Sequence, residues 1–110
     1  MYIVNLTPHQ INVADVDGQI VRQIAPSGSV ARCTANAEAV GEVNGIEVVK
    51  STFGAVEGLP EPQDGTTYLV SSLVAQAIAG TRQDVVAPDT GPTAIRDNGQ
   101  IVAVKRFQRF

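Results

Sequence analysis

The stretch Val43-Asn44-Gly45-Ile46 decides the fold. Asn-Gly between β-branched residues is what a two-residue type I′ hairpin requires, because both central positions must take a positive φ. Val48, Val49 and Thr52 extend the arm that follows. Working outward, the same alternation of turn signals and short branched-apolar runs recurs, the pattern of an antiparallel β domain. Tyr2 to Leu6 is broken by Thr7-Pro8-His9-Gln10, since proline fixes φ and removes a donor, and Ile11 to Ala14 resumes. Asp15-Val16-Asp17-Gly18 turns into Gln19 to Ile24, and Pro26-Ser27-Gly28-Ser29 into Val30 to Thr34. A final hairpin is expected with arms Ala94 to Arg96 and Gln100 to Val104 around Asp97-Asn98-Gly99.

Two stretches fall outside this pattern. Ala35 to Gly41 has no clear period and is expected to be a loop or irregular turn, while Phe53 to Thr67 is broken by Gly54, Gly58, Pro60, Pro62 and Gly65 into a long surface loop. Loops of that length in a small domain are usually functional or mobile. After Tyr68-Leu69-Val70 the period changes: Leu73/Ala77 and Val74/Ile78 pair at i,i+4, Ser71 or Ser72 suits an N-cap, and Gly80 suits an αL stop. One short helix over 72–79 is predicted. The sum is an α+β, mostly β chain: a single domain over 1–110, built as one small antiparallel sheet or barrel-like unit with that helix.

Composition agrees. Sixteen Val and eight Ile stand against four Leu and one Met, and two heavy atoms on Cβ favour pleated strands over helical turns. The 110 residues suffice for a core without metal or disulfide, and the one cysteine, Cys33, allows no intrachain bridge. A net charge of −3 argues against a duplex nucleic-acid surface. The opening Met1 to Leu6 has neither the basic nor the apolar region of a signal peptide, and no apolar run approaches the ~20 residues a bilayer needs. A cytoplasmic protein is expected, in a reducing interior that suits an unpaired thiol.

Candidate chemistry is sparse. His9 is the one histidine and would have to serve as acid or base in any histidine-dependent enzyme, though a turn histidine is ordinarily structural. Ser71 and Ser72 either cap the helix or present an anion site; no nucleophile-elbow motif surrounds them. Asp15-Val16-Asp17-Gly18 opens like a calcium loop, but Pro26 stands where the bidentate Glu should be, and no zinc spacing or Walker-type loop occurs. No metal or cofactor is expected. Six of the eight cations are Arg, whose planar fork suits carboxylate or phosphate, and Arg82-Gln83-Asp84 is the best local polar candidate.

Taken together, Asn5-Leu6-Thr7-Pro8-His9, Gly58-Leu59-Pro60-Glu61-Pro62, Gly65-Thr66-Thr67-Tyr68-Leu69-Val70-Ser71, Arg82-Gln83-Asp84-Val85 with Pro88, and Arg96-Asp97 with Gly99 resemble a family. It is a group of small proteins of phages, prophages and actinobacteria, mostly without an assigned function. The resemblance implies kinship and a viral or mobile-element source, with the host bacterial cytoplasm as the place of action. It directs attention to Asn5, Thr7, His9, Thr66, Tyr68, Ser71, Ser72, Arg82 and Asp84 as the lining of one pocket. In that arrangement the helix start gives partial positive charge, Arg82 a fork and Tyr68 a stacking face.

Three functions follow as expectations. The first is a homo-oligomeric protein that sequesters a phosphate-bearing small ligand, such as a nucleotide immune signal. The second is a virion or host-inhibitor protein-interaction module. The third is a nucleotide-degrading enzyme using His9.

Overall fold

The computed structural model describes residues 2–110. Its centre is built from two runs that are apolar at every position, Tyr68-Leu69-Val70 and Val85-Val86-Ala87, all six buried. β1 (Tyr2–Asn5), β6 (Thr66–Leu69), β7 (Val85–Pro88) and β10 (Phe107–Gln108) form a four-stranded sheet in the order β1-β6-β7-β10. Successive residues point to opposite faces, and each face is covered. Tyr68, Val70, Val85 and Ala87 pack with Leu6, Ala31 and, from the helix α1 (Ser72–Ala77), Val74 and Ala75. Leu69 and Val86 pack on the other face with Ile24, Ile3, Ile11, Val13 and Phe107.

Three two-stranded hairpins complete the chain: β2 (Ile11–Ala14) with β3 (Ile20–Ile24), β4 (Ala35–Val43) with β5 (Ile46–Phe53), and β8 (Ile95–Asp97) with β9 (Gln100–Ala103). The α+β, mostly β class with one short helix is therefore the observed one. In the central sheet, however, β1 pairs with β6, and β6 with β7, in parallel, where antiparallel pairing was expected; only β7–β10 is antiparallel there. The physical reason is burial on both faces, which the continuous apolar runs provide and which parallel strands require. The segment β6-α1-β7 is a short crossover of the kind that joins parallel neighbours.

Other expectations are corrected at the level of elements. Ala35 to Gly41 is not a loop but most of β4, because the Asn44-Gly45 turn zips its register against β5 from Val43↔Ile46 to Ala35↔Phe53. Asn44 and Gly45 take φ of 50° and 80°, as the turn type demands. Val30 to Thr34 is not a strand; it contributes one bridge, Arg32↔Glu57, to the long loop. That loop is pinned by half-buried Val56 and Leu59. The helix ends at Ala77 rather than 79, since Ile78 already leaves helical geometry at φ −111°, ψ 17°.

The β4–β5 hairpin gives the molecule its outline. Nine residues of strand span about 30 Å, every residue of β4 is exposed, and in β5 only Thr52 is half-buried. The Cα radius of gyration is 16.1 Å, against ~13 Å for a compact chain of this length. The difference reflects an arm that leaves the core.

Candidate functional site

The nine residues named from sequence divide between the two ends of the central sheet. Thr66 begins β6, opposite Tyr2, whereas Ser71 follows its far end and Asn5 pairs with Leu69. Five residues of strand separate Thr66 from Ser71 by about 16 Å. Arg82 and Asp84 lie with Thr66, because Asp84 directly precedes Val85, the residue paired with Tyr68. Asn5, Thr7 and His9 lie with Ser71, where Leu6 N–H donates to the Leu69 carbonyl at 2.8 Å.

Asn5 is an organiser of the first turn. Its side chain is buried, its Nδ2 donates to the His9 and Ile24 carbonyls at 2.8 and 3.0 Å, and its Oδ1 accepts from Thr7 N–H at 2.9 Å and Thr7 Oγ1 at 2.7 Å. Thr7 is buried beside it and its hydroxyl lies 3.0 Å from the His9 carbonyl. His9 is exposed and takes part through its main chain. The Asn-Leu-Thr-Pro-His string thus folds on itself, satisfying backbone groups that proline leaves without strand partners.

Arg82 is likewise occupied. Nε donates to Asp84 Oδ1 and Nη2 to Oδ2, both at 2.7 Å, and Nη2 also donates to the Pro60 carbonyl at 3.0 Å. This bidentate bond holds the Asp84 carboxyl below the usual carboxylate range and raises the Arg82 guanidinium, with Asp84 as the chief cause of the latter. The guanidinium carbon lies 6.0 Å from the Tyr68 ring centroid. Tyr68 itself is 3% exposed, its hydroxyl donating to the Glu61 carbonyl at 3.2 Å. A ring so enclosed offers no stacking face to a base. Ser71 Oγ accepts from Val74 N–H at 3.4 Å and caps the helix, and Ser72 Oγ accepts from Gln76 Nε2 at 3.0 Å.

Of the nine residues, His9 borders an open groove, and the other eight do not line it. This groove, of about 240 Å³, runs between the start of β2 and the end of β9, with His9, Asn12 and Thr90 beside the apolar Ile11, Ile101 and Val102 in its walls. The two strands are joined there by Ala14 N–H to the Val104 carbonyl at 2.8 Å and Val104 N–H to the Asn12 carbonyl at 2.9 Å. Beside it Arg106 is ion-paired with buried Asp89, while Arg96 donates to the Thr90 and Gly91 carbonyls at 2.6 and 3.2 Å. Arg106 and the Gly91 N–H hold the Asp89 carboxyl below its ordinary range. Pattern reading missed this clamp, because Arg106 and Asp89 are distant in sequence and no motif joins them. A second depression, about 380 Å³ and polar, lies over Arg32, Cys33, Thr34, Ala55 and Glu57.

Among the described residues no group of three or more His, Cys, Asp or Glu is placed to hold a metal ion, and no helix is long and apolar enough to cross a membrane. Comparison with protein-family models, curated proteins and solved structures returned no match.

Proposed function

We propose that the chain is a protein-interaction module, of the kind a virion component or host-factor inhibitor uses, and that its working element is the β4–β5 hairpin. One observation carries this: Val40, Val43, Ile46, Val48, Val49 and Phe53 are 38–70% exposed on a single projecting arm. Scattered surface aliphatics are ordinary, but a cluster on one element marks an interaction site. An isolated two-stranded ribbon is also marginal in water, so the arm gains stability when something packs against it.

A phosphate-sequestering role finds less support in the geometry. A ligand would have to displace Asp84 from Arg82, and would meet neither an open aromatic face at Tyr68 nor a free hydroxyl at Ser71. An enzyme relying on His9 would need a partner group beside an exposed side chain that makes no side-chain hydrogen bond in the structure.

The test uses two baits in parallel, the intact protein and the double variant Val43→Thr/Ile46→Thr, whose β-branched replacements keep strand propensity while removing apolar surface. The expected result is a protein retained by the intact bait and lost from the variant. Equal retention by both overturns the assignment to the hairpin. A thermal shift with cyclic dinucleotides or cyclic ADP-ribose isomers, undiminished in the double variant, would favour sequestration instead.

A further inference from the structure

The chain carries two Asn-Gly turns, Asn44-Gly45 between β4 and β5 and Asn98-Gly99 between β8 and β9, and all four residues are exposed. We infer that Asn44 is a site of spontaneous covalent modification: its side-chain amide is lost through a succinimide, giving aspartate and isoaspartate at the tip of the arm, and it reacts well before Asn98. The Gly45 main-chain nitrogen attacks Asn44 Cγ, the Cγ–Nδ2 bond breaks, and the Gly45 amide proton leaves with the side-chain nitrogen as ammonia. Water then opens the ring at either carbonyl. One route leaves aspartate; the other leaves isoaspartate, whose main chain runs through Cβ and Cγ and is longer by a carbon. Glycine suits the attack because no Cβ shields its nitrogen.

The folded turn restrains this reaction, so the turn that opens more readily loses its asparagine first. Asn44 and Asn98 both sit in the left-handed region, at φ 50° and 52°. At the ψ of about +47° typical of that region, the following nitrogen lies close to anti to Cβ about the Cα–C bond. The succinimide ring needs the two nearly eclipsed. Closure therefore waits for local opening, and rates follow opening free energies.

Each turn is backed by a short ladder. Beyond Asn44-Gly45 the pairs Val43↔Ile46, Glu42↔Glu47 and Gly41↔Val48 end at a register shift, which separates the tip from the rest of the arm. All of these residues are exposed, and Glu42 and Glu47 are like charges directly opposed, a destabilising pair. Beyond Asn98-Gly99 the pairs Asp97↔Gln100 and Arg96↔Ile101 reach a register shift of their own, but they oppose no like charges. That ladder is also held to the body of the protein. Arg96 donates to the Thr90 and Gly91 carbonyls at 2.6 and 3.2 Å, Asn12 Nδ2 donates to the Val102 carbonyl at 3.1 Å, and Ala103 and Val104 are buried. Isoaspartate at position 44 lengthens a turn built for two residues, and aspartate adds a carboxylate beside Glu42 and Glu47. The Val43↔Ile46 pairing that shapes the tip is then lost, whatever the arm binds.

The test ages intact protein in neutral buffer beside a sample unfolded in urea, and follows the tryptic peptides 33–50 and 97–105 by mass spectrometry, with fragmentation that separates aspartate from isoaspartate. In buffer, peptide 33–50 should gain the mass of an amide-to-acid exchange at Asn44, and not at Asn36, about tenfold sooner than 97–105 gains it at Asn98, equivalent to about 1.4 kcal/mol in opening free energy. In urea the two should convert at similar rates. The nuclear Overhauser contacts between Val43 and Ile46 should fade as the intact protein ages. They should persist in Asn44→Gly, whose Gly-Gly turn keeps the positive φ and has no amide to lose. Asn98 converting in buffer as fast as Asn44, Asn44 staying intact while the urea sample converts, or the same inequality in urea as in buffer overturns the inference.

Discussion

Arg82 grips Asp84 with two parallel hydrogen bonds of 2.7 Å, and the pair sits two residues apart at the mouth of β7 with both side chains about four-fifths covered. A fork already filled by a carboxylate from its own chain acts as a strut between β7 and the Pro60 loop. Arg82→Lys keeps the charge but loses the fork, and is expected to lower stability by about 1–2 kcal/mol. Isothermal titration should detect no inorganic phosphate bound by the intact protein. Phosphate binding abolished by Arg82→Lys would restore the ligand-site reading.

The same pair sets an acid dependence. The Asp84 carboxyl is depressed in the folded state, first by the Arg82 hydrogen bond, and Asp89 is depressed likewise by Arg106. A depressed carboxylate contributes stability that is present above its unfolded value of about 3.9 and is lost as pH falls through the folded one. Urea midpoints should therefore drop on acidification from neutral pH to below the ordinary carboxylate range. In Asp84→Asn the neutral-pH midpoint should already be lower and the acid-dependent fall smaller. An unchanged slope would mean the pair contributes nothing to folding.

Asn5 satisfies two carbonyls and two donors of Thr7 from one buried amide. Asn5→Ala leaves these groups without partners in a site too closed for ready hydration, at a cost of about 3 kcal/mol. Thermal melts should show a fall in Tm of about 10–20 °C for a domain of this size. His9→Ala, by contrast, removes an exposed side chain and keeps the carbonyl that Asn5 uses, so it should melt within a few degrees of the parent. A large loss from His9→Ala would show that the imidazole itself is structural.

Gly58 illustrates how a motif can be structural without advertising it. Its φ is +82°, and a Cβ there would stand 2.6 Å from the Val30 carbonyl oxygen, a backbone atom with little freedom to retreat. Gly58→Ala is expected to cost about 1–3 kcal/mol from the backbone conformation alone, and more from the clash. Limited proteolysis should then cut in the 54–65 loop, which Val56 and Leu59 otherwise dock on the core.

Turns were legible in sequence and long-range pairing was not. Asn44-Gly45 and Asn98-Gly99 carry their own backbone preference, and both take the positive φ that their residue types favour. Ala35 to Gly41 gave no period because β4 is exposed on both faces, so no core imposes alternation on it. Tyr68-Leu69-Val70 and Val85-Val86-Ala87 did carry a readable signal, unbroken apolarity, which points to strands covered on both sides and hence to parallel pairing. The polar string Asn5, Thr7 and Ser71 drew attention for the right reason, side chains that bind something. What they bind is backbone of the same chain, and one-dimensional spacing cannot distinguish a carbonyl from a ligand.

Uneven burial also predicts uneven opening. Tyr68, Leu69 and Val70 are at most 3% exposed, Tyr68 and Leu69 are paired with strands on both sides and Val70 N–H donates to the Val86 carbonyl, whereas β4 and β5 bond to each other with solvent on both faces. Amide exchange should be slowest in β6 and β7 and approach its unprotected rate in β4 and β5 at low concentration, because local opening of the ribbon exposes almost no new apolar surface. Protection in β4 and β5 equal to that in β6 and β7 would overturn this expectation and mean that the arm is covered rather than free.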